Sequence, residues 1–153
     1  SLSHNKKGVI CYSKDRLLRS SIVNDKYIYK KNLVQNQGDI GYVCLRSLYY
    51  DKNETLILKY YPNFKEKFVQ IELRFNALLD KLYDIYVNVK CKKISNDIPK
   101  SYERSIRKIH QIYKYKMNNR DSENSLKIKK RDVRQYLLSL DSKYLYTLIN
   151  NYH

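Results

Sequence analysis

The sequence predicts a mainly α-helical fold: a helical domain built around one long amphipathic helix and preceded by a small N-terminal β element. The chain of 153 residues has only 3 Gly and 2 Pro, whereas a β-sandwich or barrel needs a turn signal about every 8–12 residues. Apolar residues recur in steps of four and three over residues 64–89, which is the helical period. A β-branched and aromatic run at residues 8–12 is typical of a strand.

Two short extended segments open the chain. Residues 8–12 and 16–23 are the predicted strands. Because two strands alone are marginally stable in water, we expect them to be the edge of a sheet or to pack on the helices that follow. Asn24 or Asp25 is a suitable N-cap for a helix that ends near Gly38.

Two further helices are predicted before Pro62. The first runs from Ile40 to Tyr50, where apolar residues again have helical spacing. Asn53 marks the start of the second, a short helix through Tyr61. Pro62 then stops this helix or starts the next one, because proline disfavours a helical conformation in the residue before it.

The long helix after Pro62 is the clearest element. Its apolar stripe contains Phe64, Phe68, Ile71, Phe75, Leu78, Leu82, Ile85 and Val89. The opposite face carries charges of both signs, as expected for a surface in contact with water. We therefore expect the rest of the domain to pack around residues 62–91.

Three helices are predicted in the C-terminal third. Pro99 suits the first turn of a helix, whose apolar face contains Tyr102, Ile106, Ile109, Tyr113 and Met117. A polar loop is predicted at residues 118–125. A short helix around Val133–Leu140 follows, and Asp141 or Ser142 caps the last helix.

Length and charge narrow the functional classes. A chain of this length corresponds to one domain, or to one domain with a small appendage, and its 42% apolar content is enough for a core. The chain has 31 Lys and Arg against 15 Asp and Glu, a net charge of +16. Half of that excess lies in residues 98–153, where 13 basic residues face 5 acidic ones. This distribution favours a polyanionic partner.

The sequence shows no sign of a membrane or secretory segment. No uncharged apolar run approaches about 18 residues, and residues 1–8 lack the apolar stretch of a signal peptide. Cys11, Cys44 and Cys91 are odd in number and far apart, which predicts reduced, buried thiols and an intracellular, cytoplasmic protein. The only methionine is Met117, so we expect the chain to be a fragment or a processed product.

Signals for catalysis are few. The three histidines, His4, His110 and His153, are not at metal-ligand spacing. The chain also lacks a Gly-rich phosphate loop and the elbow motif of a nucleophilic serine. We therefore predict no catalytic residue, no metal site and no cofactor in this chain.

Two clusters of cations are the candidate binding residues. On a helical wheel of about 100° per residue, one sector opposite the apolar face contains Lys100, Arg104, Arg107, Lys108 and Lys114. The second cluster contains Lys127, Lys129, Lys130, Arg131 and Arg134. A solvated basic face would explain either cluster alone. Both clusters together, with the net charge, predict binding to successive phosphates of RNA, and tyrosines close to the cations can stack on bases.

Several short sequence stretches, some near the N-terminus and some near the C-terminus, can be compared as a set with known protein families. Near the N-terminus these are residues 7–10, 19–27 and 32–37, and near the C-terminus they are residues 109–113, 133–140, 144–146 and 151–153. This pattern resembles the C-terminal region of RNA-ligase-like proteins, which are nucleotidyltransferases of large DNA viruses and phages. In that family an acidic-Gly-hydrophobic strand precedes a second strand, a helix and an Asn-Gln turn. The resemblance implies a viral protein that holds RNA.

The chain departs from the family at the nucleotide site. Lys7 stands where the family has a carboxylate, and Ser21 stands where it has the lysine that contacts the nucleotide phosphates. The motif of the nucleophilic lysine is absent from these residues. The resemblance therefore implies that residues 1–38 are the remnant of a nucleotidyltransferase-like strand region, with Lys7, Arg19 and Ser21 as a nucleotide-binding remnant. Residues 39–153 would then be a helical domain similar to an RNA-holding module.

Three functions remain open from the sequence. The first is RNA binding without catalysis by this chain. The second is that the chain is the C-terminal part of an active RNA ligase or nucleotidyltransferase, whose catalytic lysine lies upstream. The third is a protein-interaction or virion-associated module that binds an acidic protein partner.

Overall fold

The computed structural model describes residues 3, 5–14, 19–34, 38–93, 97–118 and 127–151. It is 72% helical, and within those ranges it has seven α-helices, one continuous helix of 30 residues and a small two-stranded N-terminal sheet. The predicted fold class is therefore confirmed. The chain divides into two compact units, Ser1–Lys67 and Phe68–His153. The functional boundary after residue 38 stays a prediction.

An antiparallel hairpin opens the first unit. Strands β1 (Gly8–Tyr12) and β2 (Arg19–Val23) pair with Gly8 opposite Val23 and Tyr12 opposite Arg19. A Cβ atom at Gly8 would collide with the carbonyl oxygen of Ile22, so this close approach requires glycine. Every residue of both strands is exposed. Residues 16–18 of the predicted second strand lie outside the described part of the chain.

Asn24 joins the hairpin to the first helix, α1 (Asp25–Asn32). Its side-chain amide donates to the carbonyl oxygens of Ser3 and Lys6, at 2.8 and 2.6 Å. Its side-chain oxygen accepts the N–H of Lys26 at 3.1 Å. Asn24 is therefore the N-cap, one of the two residues predicted for this position. Its burial is tolerated because its side-chain polar atoms have partners.

Short helices complete the first unit. Asp39 caps α2 (Ile40–Arg46), which continues as a π-helical turn over Ser47–Asp51 and is followed by α3 (Glu54–Tyr60). The buried apolar side chains of this unit are Val43, Cys44, Leu45, Ile57 and Phe64. Burial raises the pKa of the Cys44 thiol to about 11, so this cysteine is a neutral core residue.

The long helix begins and ends with irregular turns. A 3₁₀ turn at Pro62–Phe64 leads into α4 (Lys65–Tyr86), and a π-helical segment over Val87–Cys91 follows. The buried face of α4 contains Phe68, Ile71, Phe75, Leu78, Leu79, Leu82 and Tyr86. The predicted stripe is thus confirmed through Leu82, whereas Ile85 and Val89 are only half-buried.

Three helices follow in the second unit. They are α5 (Lys100–Asn118), α6 (Lys130–Leu138) and α7 (Ser142–Asn150). The Asp141 carboxylate caps α7 by accepting the N–H groups of Lys143 and Tyr144. Each helix buries one apolar face: Tyr102, Ile106 and Ile109 in α5, Val133, Tyr136 and Leu137 in α6, and Leu145, Leu148 and Ile149 in α7.

Two of the three cysteines differ from the sequence prediction. Cys11 and Cys91 are exposed, and only Cys44 is buried. Cys11 belongs to a hairpin with no covered face, and Cys91 is the last residue of the π-helical segment. Other predicted features lie outside the described part of the chain. These are residues 35–37 of the stretch that resembles the family, most of the polar loop at residues 118–125, His4, and residues 152–153.

Candidate nucleic-acid interface

The first predicted cluster lies on one exposed side of α5. We call it the α5 cation face, and each of its five members is exposed: Lys100, Arg104, Arg107, Lys108 and Lys114. The buried stripe of Tyr102, Ser105, Ile106 and Ile109 holds the other side of the helix against the core. The helical period therefore separates the packed residues from the charged ones.

Two arginines of the α5 cation face have partners within the protein. Arg107 donates to the Glu103 carboxylate at 2.8 Å, and 76% of the Arg107 side chain is exposed. An exposed pair of this kind contributes only about 0.3–0.5 kcal/mol, so Arg107 can exchange Glu103 for a phosphate. The guanidinium of Arg104 lies 5.4 Å from the ring centre of Tyr144, and this cation–π contact orients it.

The second predicted cluster surrounds the start of α6, and we call it the α6 cation cluster. Its members are exposed: Lys127, Lys129, Lys130, Arg131 and Arg134. Two of them are anchored to α4. Lys130 donates to Asp80 at 2.7 Å, and the Arg134 guanidinium lies 5.3 Å from the ring centre of Phe75. Within the described residues, the other three make no ion pair.

A largely buried ion pair lies at the start of α6, and the sequence does not predict it. The Lys116 ammonium lies 2.7 Å from one carboxylate oxygen of Asp132, and the other oxygen accepts the Lys129 N–H at 2.8 Å. Side-chain exposure is 7% for Asp132 and 21% for Lys116. The Lys129 N–H is therefore already bonded and is not free to bind a phosphate. Spacing alone does not reveal the pair, because its partners are sixteen positions apart.

A groove of about 610 Å³ lies between α5 and the end of α6. Its walls include Arg104, Lys108, Gln111, Ile112, Tyr115 and Tyr136. We call it the α5–α6 groove. It brings two members of the α5 cation face together with an aromatic ring. No carboxylate lines it within the described part of the chain, so its electrostatic character is positive.

The two tyrosines of the α5–α6 groove differ in their exposure to solvent and in their hydrogen bonding. Tyr136 is buried and its hydroxyl donates to Ser105 Oγ at 3.1 Å, while burial raises its pKa. Tyr115 is 70% exposed. Tyr136 is therefore a fixed wall, and Tyr115 presents a ring on which a base can stack.

The three residues predicted as a nucleotide-binding remnant lie in or next to the hairpin of the first unit. Lys7 immediately precedes β1, whereas Arg19 and Ser21 lie in β2, opposite Tyr12 and Ile10. All three residues line one pocket of about 350 Å³. The hairpin therefore brings them together, although they come from separate stretches of the sequence.

The described residues provide neither a metal site nor a membrane-spanning helix. Within the described ranges, no group of three or more His, Cys, Asp or Glu side chains is placed to hold a metal ion. None of the helices in those ranges is long and apolar enough to cross a membrane.

No protein-family model matches the chain, and neither does any curated protein or solved structure. The geometry and charge of the second unit are therefore the basis for assigning a function.

Proposed function

We propose that the second unit binds single-stranded RNA in the α5–α6 groove, with the exposed cations on either side holding further phosphates. The observation that carries the proposal is the juxtaposition of Arg104, Lys108 and the exposed ring of Tyr115 in one groove. Proteins that hold single strands combine cations along the backbone path with aromatic rings for the bases.

The groove suits a flexible strand better than a duplex. Double-stranded RNA is bound mostly through its shape and backbone, whereas an unpaired base can leave the strand and stack on a ring. Tyr115 supplies that ring, and Gln111 supplies both a donor and an acceptor for a base edge. The resemblance to RNA-ligase-like proteins also favours RNA.

The proposal assigns no catalysis to this chain. Binding would arise from phosphate neutralisation with release of counterions, which depends steeply on salt. Of the α5 cation face, Lys100, Lys108 and Lys114 make no ion pair with another described residue, so contact with RNA would break no protein interaction there. Arg107 would exchange only an exposed pair.

Removing two groove cations should weaken RNA binding and reduce its salt dependence. Each phosphate contact on a single strand adds about −0.7 to the slope of log K against log[salt]. The double variant Arg104→Gln, Lys108→Gln should therefore lose about 1.4 units of slope and about 25-fold in affinity at 0.1 M salt. Fluorescence anisotropy with a labelled oligouridylate over a range of salt concentrations measures both quantities.

Lys65→Gln is the matched control, because Lys65 is an exposed lysine of the first unit. Equal affinities of the control and the double variant would refute the groove as the RNA site. Lack of binding by the unmodified protein would refute the function itself. Retention of a lysate protein after nuclease digestion, without RNA binding, would favour the acidic protein partner instead.

Tyr115→Ala should weaken RNA binding without changing its salt slope. Stacking of one base on an aromatic ring contributes about 1–3 kcal/mol, and this contribution releases no counterion. The ring is 70% exposed, so we expect the variant to fold normally, as circular dichroism can verify. The same anisotropy titration provides the test. An unchanged affinity would show that no base stacks on Tyr115.

A further inference from the structure

The second unit has another pocket besides the α5–α6 groove. It has a volume of about 570 Å³ and lies on a different side of α5, next to the junction of α4 and the π-helical segment. Its aromatic walls include Tyr86, His110 and Tyr113, and its cations are Lys90, Lys92 and Lys127. We call it the His110 pocket. Among the described residues no carboxylate lines it. Its volume is in the range of small-molecule sites.

Aromatic groups form an ordered wall in the His110 pocket. The imidazole of His110 stacks on Tyr113, with ring centres 5.8 Å apart and an angle of 17° between the planes. The Tyr86 hydroxyl and His110 Nδ1 share a hydrogen bond of 3.4 Å, and Tyr86 is 1% exposed. A buried tyrosine thus fixes the histidine, which in turn positions Tyr113. A planar ligand would meet rings that are already oriented.

The π-helical segment places two of the cations. Its last turn closes with a bond from the Lys92 N–H to the Val87 carbonyl oxygen at 2.9 Å, an i→i+5 pattern that is common at functional sites. Lys90 and Lys92 lie within and just after this turn, and both are exposed. Lys127 approaches from the segment before α6. None of the three makes an ion pair with another described residue.

The surroundings of His110 disfavour its protonated form. Burial lowers the pKa of His110, and the charges of Lys114 in α5 and Lys90 in the π-helical segment lower it further. The phenols of Tyr86 and Tyr113 also face its ring. An anion placed among these lysines would oppose their effect and make protonation easier.

We propose that the His110 pocket binds a nucleotide: the base lies against the rings of His110 and Tyr113, and Lys90, Lys92 and Lys127 bind the phosphate. Aromatic walls alone would suit any flat apolar ligand, and lysines alone would suit any anion. A nucleoside phosphate has both a flat ring for the aromatic walls and an anionic group for the lysines, in one molecule of suitable size. The nucleotide can be free in solution or part of an RNA strand, and only the second case rests on the proposed function.

The test measures binding of AMP, adenosine and inorganic phosphate to the full chain by nuclear magnetic resonance of the histidine side chains. AMP should bind at least about tenfold more tightly than either adenosine or phosphate, because hydrogen bonds to a charged group add to stacking. The pKa of His110 should be higher with AMP bound than with adenosine bound, because only AMP brings a phosphate anion among the lysines. Binding of AMP no tighter than that of phosphate, or equal His110 pKa values with AMP and with adenosine, would overturn the proposal.

The variant Lys90→Gln, Lys92→Gln provides the residue test. Both side chains are exposed, so the substitutions should not disturb folding. AMP affinity should fall about tenfold or more, whereas Lys143→Gln, at an exposed lysine of α7 outside the pocket, should leave it unchanged. Equal effects of the two variants would refute the site.

Oligouridylate binding by the same variant distinguishes the two sources of the nucleotide. Loss of AMP binding with intact RNA binding supports a free nucleotide. Loss of both supports a nucleotide of the bound strand. Because Arg104→Gln, Lys108→Gln alters the α5–α6 groove and not this pocket, failure of the RNA proposal would be recognised separately from failure of the nucleotide site.

Discussion

Phe75→Ala should destabilise the protein by about 3–5 kcal/mol, the usual cost of truncating a fully buried phenylalanine. Phe75 is 0% exposed in the middle of α4, and the Arg134 guanidinium lies over its ring. The substitution leaves a cavity and also removes a contact that holds α6 to the long helix. Urea unfolding followed by circular dichroism measures the loss, which is a large part of a typical total of about 5–15 kcal/mol.

Leu73→Ala is the matched control, because Leu73 lies two positions away on α4 and is 64% exposed. Its effect should stay within about 0.5 kcal/mol. Phe75→Leu, which fills most of the cavity, should cost clearly less than alanine. If Phe75→Ala and Leu73→Ala unfolded at the same urea concentration, the assigned packing face of α4 would be wrong.

Asp132→Asn should cost about 3 kcal/mol near pH 7, because it leaves the largely buried Lys116 ammonium without its counter-ion. Asparagine retains the shape of aspartate but not its charge, and it cannot accept hydrogen bonds from both Lys116 and the Lys129 N–H with the same strength. The loss would therefore be electrostatic rather than a packing defect. Thermal or urea unfolding at several pH values provides the measurement.

The effect of Asp132→Asn should disappear in acid. Burial tends to raise the pKa of Asp132, but the hydrogen bonds from Lys116 and from the Lys129 backbone, with the charges of Lys116 and Arg131, hold it below its ordinary value of 3.8. The carboxylate is thus a stronger acid in the folded protein than in the unfolded chain. Its stabilisation is complete above about pH 4 and is lost as the pH falls through the folded pKa.

The expected signature is a stability difference that is constant from about pH 5 to 7 and shrinks below about pH 4. Glu72→Gln, at an exposed acid of α4, removes the same charge and should give almost no difference at any of these values. A difference between the Asp132 variant and the unmodified protein that persisted unchanged into strong acid would contradict the ionic character of the pair.

The helical period predicted the long helix well because one of its faces is buried along most of its length. Phe68, Ile71 and Phe75 follow that period and are buried in α4. The prediction of buried thiols was wrong at Cys91, which is exposed. That prediction used the number and spacing of the cysteines, and neither of them determines which face of a helix a residue occupies.

The cation clusters could be predicted from the sequence, but their partners could not. Arg134 and Lys130 are as exposed as expected, yet they contact Phe75 and Asp80 of α4, which are fifty or more residues away in sequence. The Lys116–Asp132 pair likewise depends on where α5 ends beside α6. Such contacts arise from tertiary packing, and no local spacing rule encodes them.

The exposed hairpin has a consequence for the local stability of the chain. Its two strands bury no side chain, so polar contacts, chiefly their mutual hydrogen bonds and the anchoring by Asn24, hold the described part of the hairpin closed. A segment with so little buried apolar area opens at a small free energy, well below that of global unfolding. Lys7, Arg19 and Ser21 therefore belong to a segment that we expect to open more readily than the helical core. A ligand bound beside them would close the hairpin and leave the stability of the helical core almost unchanged.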